Sequence, residues 1–369
     1  MKKNNDITTS ENQLLSKVSE LIELARKQVA STVNLTMVHT YFEIGRMIVE
    51  DEQKGKERAE YGKTVLKDLS VKLIEKFGKG FSVSNLKNMR QFFLIFGDRE
   101  LTIRQKPSGV LLMKEKHTDV IRQKPSSVSC DFTLSWSHYL ILMRIENPAE
   151  RRFYEIEAYQ QNWSEPQLKR QYHSSLYERL ALSRDKEAVM KLANEGHIVE
   201  KPQDLLKNPL SLEFLGLEEH TSFSESDMEG AIISKLQQFL LELGKGFLFE
   251  ARQRRFTFDD EHFFVDLVFY NRLLQCYVLI DLKTDKLVHQ DLGQMQMYVN
   301  YYDRYVKQDY EKPTIGILLC KKKTDALVEL TLPKEANIYA SEYSLYLPDK
   351  HLLQEKMTEW VREFENSNL

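Results

Sequence analysis

The sequence predicts a two-domain protein of the α+β or α/β class, with an all-helical N-terminal domain and a C-terminal mixed sheet covered by helices. Two observations lead to this prediction. Apolar residues in the first half recur at helical spacing, whereas the second half contains short apolar runs typical of buried strands. The 369 residues are enough for two domains of ordinary size. We place the helical domain at 1–185, a linker at 186–224 and the C-terminal domain at 225–369.

The composition is that of a globular protein, with 42% hydrophobic and 29% charged residues. The net charge of −3 gives no argument for a nucleic-acid partner, so any basic surface has to be local. The three cysteines show no zinc-binding spacing and are odd in number, which argues against a disulfide framework and favours a cytoplasmic location. No signal-peptide pattern and no apolar run of about 18 residues occurs, so we expect no membrane association.

The N-terminal half is predicted to be helical. The spacing of apolar residues indicates two helices within 13–50 and a third over about 63–77. A glycine-containing turn at 78–80 follows, and Ser82 or Ser84 can cap the next helix. A helix, a short turn and a capped helix are the outline of a helix-turn-helix, which makes this domain a candidate for DNA binding.

Basic residues on two of these helices are candidate contacts to nucleic acid. One pair lies on the helix after Ser82, and the other on a helix opened by the capping box at 164–167. Lys and Arg on an exposed recognition helix contact phosphates and base edges, but an ordinary solvated helix face explains such residues equally well. The candidates are Lys87, Arg90, Lys169 and Arg170.

The C-terminal half is predicted to follow the order α-β-β-β-α-β. An apolar helix over 227–243 ends at two glycines. The other segments are strands at about 247–258, 262–270 and 275–282, a helix at about 290–305, and a strand at 314–320. This order predicts a mixed sheet with helices on its faces.

A buried strand, residues 277–280, ends in the charged triplet Asp281-Leu282-Lys283. Side chains alternate along a strand, so Asp281 and Lys283 share one face. Asp266 in the preceding strand falls opposite Asp281 if the loop between the strands is centred near residue 273 or 274, whereas a two-residue turn would shift the register.

Such charges are costly to bury unless they are paired or bind a metal. One or two carboxylates, completed by water and a phosphate, are the ligands that Mg²⁺ prefers. A metal there would lower the pKa of a bound water, and Lys283 would orient that water or offset charge developing on phosphorus. The residues thus predict a metal-dependent phosphodiesterase site, and the alternative is an ion pair at a solvated strand end.

Longer motifs resemble one known family. They are FFVDLVFYNRLLQCYVLIDLK (263–283), GQMQMYVNYYD (293–303), IGILLC (315–320) and WSEPQLKRQ (163–171). Together they resemble the YhcG-like family of bacterial PD-(D/E)XK nucleases, of the DUF1016 type with an N-terminal helical domain. The resemblance covers roughly residues 15–350 and implies a restriction-endonuclease-like C-terminal core.

The resemblance also implies roles for individual residues. Asp266 and Asp281 match the metal-binding acids, and Lys283 matches the catalytic lysine. Glu229 lies where the superfamily often has a further acid, although an exposed charge near the start of a helix is an equally good interpretation. Val265 replaces the proline that usually precedes the first acid, a change within the normal range of the superfamily.

Gln294 and Tyr298 match a Q-x-x-x-Y element that some members place beside the site, and one helical turn puts both on one face. The resemblance implies a nuclease dependent on Mg²⁺, or on Mn²⁺, that acts on DNA, with RNA as the alternative. Defence, restriction or DNA processing is the expected setting, with a homo-oligomer or partner proteins. The competing hypothesis is a nucleic-acid-binding or assembly module that keeps the fold without turnover on its own.

Overall fold

The computed structural model describes most of the chain. The described residues are 32–53, 59–97, 132–182, 186–207, 209–217, 223–258, 260–323, 325–333 and 336–367. Contacts divide the chain into two compact units, Met1–Glu146 and Asn147–Leu369. They therefore group residues 147–185 with the C-terminal core, whereas the sequence prediction placed them with the N-terminal helices. The predicted helical segment before residue 32 lies outside the described residues.

The first unit is built around aromatic side chains. Its helices are α1 (32–53), α2 (Ala59–Phe77), α3 (Val83–Phe96) and α4 (Trp136–Leu142). Phe92 of α3 is fully buried, and its ring centroid lies 4.8 Å from that of Phe132 and 5.0 Å from that of Tyr139. These tilted aromatic contacts form the centre of the unit.

A short 3₁₀ turn, Lys79–Phe81, joins α2 to α3. Gly78 before it has a φ of 89°, which glycine adopts without a steric penalty. Ser82 caps α3 by accepting a hydrogen bond from the backbone N–H of Asn85 at 3.3 Å. The predicted helix, turn and capped helix are thus present as local structure, and their role as a DNA-binding helix-turn-helix stays a prediction.

The second unit contains the mixed sheet. Preceding the core are α5 (Pro148–Gln160), α6 (Glu165–His173), α7 (Leu176–Ala181), α8 (Lys186–Glu195), 3₁₀ turns at Pro202–Leu205 and Glu213–Leu215, and the short strand β1 (Leu210–Ser211). The core has α9 (Glu225–Ser234), α10 (Leu236–Leu243), β2 (Phe247–Phe258), β3 (Glu261–Asn271), β4 (Cys276–Lys286), α11 (His289–Tyr301) with a π-helical turn Tyr302–Val306, β5 (Ile315–Lys322), α12 (Asp325–Thr331), β6 (Ile338–Ser344) and α13 (Lys350–Ser367).

The six strands are ordered β1-β6-β5-β4-β3-β2. Strands β1, β6, β5 and β4 are parallel to their neighbours, whereas β4–β3 and β3–β2 are antiparallel. On one face, Ile280 packs in a core with Phe239 of α10, and on the other, Leu279 packs with Met295 of α11. Successive residues of β4 thus enter opposite cores, which explains why its sequence is continuously apolar.

The order α-β-β-β-α-β and the helix-covered mixed sheet confirm the predicted fold class. The helix predicted over 227–243 is instead two helices, because Lys235 between them has φ −122° and ψ 35°. The Nζ atom of Lys235 donates to the carbonyl oxygen of Phe214 at 2.6 Å. No helix in the described ranges is long and apolar enough to cross a membrane.

Helix α11 approaches β5 closely at Gly316. A Cβ atom at this position would lie 2.6 Å from Cγ and 2.7 Å from Sδ of Met295, and 3.0 Å from a methyl group of Val299. Only glycine leaves room for this approach without displacing the side chains of α11. The contact fixes the distance of α11, with Gln294 and Tyr298, from the sheet.

Buried charges attach α6 and α7 to α10. Arg179 and Glu242 are fully buried, with Nη1 and Oε1 2.5 Å apart. Arg170 lies 3.0 Å from the second oxygen of Glu242 and 3.0 Å from Glu213. Burial raises the pKa of Glu242, but the charges of Arg179, Lys207 and Arg170 outweigh burial and lower it to about 2. These ion pairs explain why residues 147–185 group with the C-terminal core.

We expect Glu242→Gln to reduce the free energy of unfolding of the second unit by about 3–5 kcal/mol at pH 7, because Arg179 would lose its buried counter-charge. The measurement is urea denaturation. Since folding lowers the pKa of Glu242, the wild-type advantage should be complete above 4.5 and should shrink as the pH falls towards 2.

The control is Glu165→Gln, which removes the exposed partner of Lys169, 2.6 Å away. Exposed pairs contribute less than about 1 kcal/mol, so this variant should unfold almost as the wild type does. Equal losses for the two variants would contradict the structural role assigned to Glu242.

Candidate active site

Strands β3 and β4 bring the two predicted acids together. Leu267 pairs with Ile280, so the same register continued by one residue places Asp266 opposite Asp281. The loop between the strands is therefore centred between residues 273 and 274, one of the predicted alternatives. The Oδ2 atom of Asp266 accepts a hydrogen bond from the backbone N–H of Leu282 at 2.8 Å. This bond holds Asp266 against β4 beside the charged triplet.

Lys283 completes the predicted triad on the face of β4 that carries Asp281. Its Nζ atom is 2.9 Å from Oδ2 of Asp281 and 3.7 Å from Oε2 of Glu225 on α9. Burial lowers the pKa of Lys283, but the negative charges of Asp281 and Glu225 outweigh it, so the pKa lies above its usual value. Lys283 is therefore an ammonium at neutral pH, a hydrogen-bond donor rather than a base.

Asp281 lies in an environment that disfavours its negative charge. The residue is only 3% exposed. Burial and the nearby charge of Asp266 raise the pKa of its carboxyl to about 7, although Lys283 acts in the opposite direction. Burial is the largest of these effects, and Lys283 does not outweigh burial and the charge of Asp266 together.

The two acids fit a divalent cation with oxygen ligands. The Oδ2 atom of Asp281 is buried and accepts no well-oriented hydrogen bond from the described residues, although Lys283 is close. A bound cation would offset the repulsion between Asp281 and Asp266, and Mg²⁺ typically uses one or two carboxylates with waters and phosphate oxygens. Within the described ranges no group of three or more His, Cys, Asp or Glu side chains could hold a metal. Asp266 and Asp281 are the side chains that would hold it.

Glu229 is 2% exposed on α9 and is bound by two neighbouring residues of β2. Nε of Arg252 and Nε2 of Gln253 both donate to its carboxylate. The same Nε2 atom also donates to Oδ1 of Asp266 at 2.9 Å. Gln253 thereby links the predicted third acid to the first, so Glu229 is not the exposed helix charge of the alternative interpretation.

Arg252 and Gln253 were not among the predicted site residues. The feature of the sequence that could have identified them is a pair of polar residues within a strand. By the strand register, Gln253 of this pair lies opposite Asp266. Gln253 also has a φ of 48°, which is uncommon and strained for a residue other than glycine. This backbone conformation allows two successive side chains, Arg252 and Gln253, to reach Glu229.

Gln294 and Tyr298 lie on one face of α11, as predicted. Nε2 of Gln294 donates to the hydroxyl oxygen of Tyr298, which is 1% exposed. Burial raises the pKa of Tyr298 to about 12; the hydrogen bond from Gln294 opposes the shift, and the charges of Asp281 and Asp266 add to it. The hydroxyl of Tyr298 is therefore neutral and electrostatically coupled to the two acids.

The candidate nucleic-acid contacts lie outside this cluster. Lys87 is exposed on α3, and Arg90 is 2.7 Å from Glu52, within the first unit. Lys169 is exposed and pairs with Glu165. Arg170 has a side chain only 16% exposed, held between two carboxylates of the second unit, an arrangement that favours a structural role. Contact of these four residues with nucleic acid stays a prediction.

Comparisons with known proteins find matches for both parts of the chain. Residues 203–358 match the family model of the YhcG PDDEXK nuclease domain, and residues 17–179 match the DUF1016 N-terminal domain. The chain is 39% identical over 361 residues to the Escherichia coli (strain K12) protein named "Putative nuclease YhcG", covering 95% of this chain and 94% of that protein. The chain belongs to the YhcG family of PDDEXK nucleases. This chain thus combines a DUF1016 N-terminal domain with a YhcG PDDEXK nuclease domain.

Two solved structures also share similarity with this member of the YhcG family. One is a repair endonuclease from Pyrococcus abyssi, 19% identical, and the other is the EndoMS–dsDNA2 complex, 16% identical. Each match covers 36% of this chain and 50% of the other, with a TM-score of 0.24. The chain thus spans about half the length of these solved structures.

We expect Asp281→Asn to stabilise the metal-free protein by about 1–3 kcal/mol at pH 8, because it removes one of two adjacent carboxylates from a buried position. The measurement is thermal unfolding in EDTA. Added Mg²⁺ should raise the unfolding temperature of the wild type and leave that of the variant nearly unchanged.

Asp285→Asn on the exposed end of β4 is the control and should change the free energy of unfolding by less than about 0.5 kcal/mol. If Asp281→Asn is instead less stable than the wild type in EDTA, Lys283 fully compensates the negative charge of Asp281, and the predicted stabilisation is wrong.

Proposed function

We propose that this protein is a metal-dependent nuclease that hydrolyses phosphodiester bonds in DNA, with Mg²⁺ as the metal and Mn²⁺ as a substitute. The observation that carries the proposal is the buried Asp281 carboxylate, which faces a second carboxylate and a protonated lysine, yet has an oxygen without a well-oriented hydrogen bond. A solvated ion pair, the competing interpretation, would not be buried and would not include a second acid.

When bound, a divalent cation polarises a phosphate oxygen and lowers the pKa of a bound water. The residues around it have separate tasks. Asp266 and Asp281 would hold the cation, and the backbone N–H of Leu282 keeps Asp266 in position. Lys283, which stays protonated, donates from Nζ to phosphate oxygens on which negative charge develops.

Three further side chains position this site. Gln253 holds the carboxylates of Glu229 and Asp266 at a fixed separation through one amide group. On the α11 side, the Tyr298 hydroxyl accepts from Gln294, so its own proton can be donated towards the acids or towards a phosphate oxygen. Both arrangements are preorganised before a substrate arrives, which is how charged sites limit reorganisation during reaction.

The test is cleavage of single-stranded, duplex, branched and circular DNA and of RNA, with Mg²⁺, Mn²⁺ or EDTA. We expect cleavage that requires the metal and falls at least about 100-fold in Asp266→Asn and Lys283→Met, because each removes a charge that acts on the reacting phosphate. Asp285→Asn, an exposed residue of the same strand, should cleave at the wild-type rate. Cutting of the circular substrate identifies an endonuclease.

The competing function is a nucleic-acid-binding or assembly module without turnover. It predicts binding without cleavage under all metal conditions, and equal behaviour of wild type, Lys283→Met and Asp285→Asn. Cleavage of RNA without cleavage of DNA would support the nuclease activity but identify RNA, rather than DNA, as the substrate. The role in defence or restriction, oligomer formation, partner proteins and the cytoplasmic location are expectations that rest on the family resemblance and the composition.

A further inference from the structure

Strands β2 and β3 extend past the candidate active site as a two-stranded arm, residues 253–258 and 261–266. Within the arm Arg255 pairs with Phe264, Phe256 with Phe263, and Thr257 with His262. Because side chains alternate along both strands, the arm has two faces. One face carries Arg254, Phe256, Phe258, Glu261, Phe263 and Val265, and the other carries Arg255, Thr257, His262, Phe264 and Asp266.

The first face is anchored to the protein. Phe256 is 6% exposed, and its ring stacks on that of Tyr301 of α11 at a centroid distance of 4.1 Å and on that of Phe263 at 5.4 Å. Val265 is fully buried in the same cluster. The other residues of this face include Arg254, Phe258 and Glu261, which are exposed, and Arg254 acts on the nearby acid Glu250.

The second face, which we call the open face, begins at Asp266, the acid proposed to hold the metal. Phe264, two residues before Asp266, has 45% of its surface exposed. Two residues of a strand span about 7 Å, so the Phe264 ring lies about two nucleotide steps of 3.4 Å from the site. An exposed aromatic ring at this distance from the reacting phosphate can stack on a neighbouring base.

Arg255 lies directly beside Phe264 on the open face. Its Nη2 atom donates to Nε2 of His262 at 2.9 Å, and Nδ1 of that histidine is 3.0 Å from Oγ1 of Thr257. No carboxylate of the described residues forms an ion pair with Arg255, and the nearest acid along this face is Asp266 itself. The guanidinium is thus exposed, oriented and available to an anion.

We propose that the open face of the arm binds a single-stranded segment of nucleic acid beside the scissile phosphate, with Phe264 stacked on an unpaired base and Arg255 on a backbone phosphate. A guanidinium without a carboxylate partner matches a phosphate in charge and geometry. An exposed aromatic ring on a strand can stack on a base only when that base is not stacked between its neighbours in a duplex. The arm therefore favours unpaired nucleotides. The proposal rests on the proposed nuclease function, because Asp266 gives the arm its position.

The chain offers matched controls on the anchored face. Phe258 is an exposed aromatic residue of the same arm, 57% exposed, and Arg254 is the sequence neighbour of Arg255. Each control has the residue type of its counterpart and lies on the opposite face. The informative variants are therefore Phe264→Leu and Arg255→Gln, compared with Phe258→Leu and Arg254→Gln.

The experiment measures binding of labelled oligonucleotides to the full chain in EDTA by fluorescence anisotropy, so no cleavage occurs. The probes are a single strand, a blunt duplex, and a duplex with a single-stranded flap. We expect Phe264→Leu to weaken binding of the single strand and the flap by about 5- to 100-fold, and binding of the blunt duplex by less than twofold. Arg255→Gln should weaken all three and reduce the slope of log K against log salt by about 0.7–0.9. The two controls should remain within about twofold of the wild type.

Several outcomes would overturn the proposal. Equal effects of the two phenylalanine variants, an equal loss on blunt duplex and single strand, or no binding of any probe by the wild type each contradict it. Parallel cleavage assays with Mg²⁺ separate this from the nuclease proposal. If all four variants cleave normally and bind as the wild type does, the arm proposal is refuted and the nuclease proposal stands. If the wild type cleaves nothing but Phe264→Leu selectively weakens binding of single strands, the nuclease proposal is refuted and the arm still binds single-stranded nucleic acid.

Discussion

The functional half of this protein depends on the register between two antiparallel strands. Pairing of β3 with β4 around a loop centred between residues 273 and 274 brings Asp266 beside Asp281. A shift of one residue would move one of the acids to the opposite face of the sheet. The backbone N–H of Leu282, which donates to Asp266, adds a bond that only this register can form. The position of Gln253, the contact with Glu229 and the course of the arm all follow from it.

The second unit contains two buried acids whose charges are compensated to different extents by their neighbours. Between α7 and α10, Glu242 is surrounded by two arginines and a lysine, so folding strengthens its ionised form. At the site, burial and the neighbouring acid Asp266 disfavour the ionised form of Asp281 more than Lys283 favours it. The first arrangement stabilises the fold, whereas the second leaves excess negative charge where a cation and a phosphate would bind. Uncompensated charge of this kind is characteristic of functional sites rather than of structural ion pairs.

The strained residue Gln253 connects the site with the arm. Its positive φ lies at the point where β2 leaves the sheet core and begins the arm. Phe247 near the start of β2 packs in the α10-side core, and Ala251 and Phe256 further along the strand pack on the α11-side core. At this point the side chains of Arg252 and Gln253 both reach Glu229. Backbone strain is thus located where three acids have to be held, as strain often is in binding and catalytic sites.

The sequence alone determined the order of elements and the strand that ends in Asp281-Leu282-Lys283, and it limited the pairing with Asp266 to two registers, between which the structure decided. These are consequences of local rules, because alternation along a strand and a short loop between neighbouring strands fix which side chains share a face. The helical spacing of Gln294 and Tyr298 belongs to the same class. Resemblance to a known family then gave these positions their expected roles, and the comparisons confirmed the family.

Only the tertiary structure decided which charged residues are buried and by which partners. Arg179 meets Glu242 across 63 residues of sequence, and that contact places α6 and α7 with the C-terminal core. Likewise, no local pattern shows that Gln253 bridges Glu229 and Asp266, or that Phe264 is exposed beside the site while Phe256 is buried. The physical reason is common to all of them. Burial and charge compensation depend on groups that come together only when distant segments pack, whereas strand alternation is a property of the backbone itself.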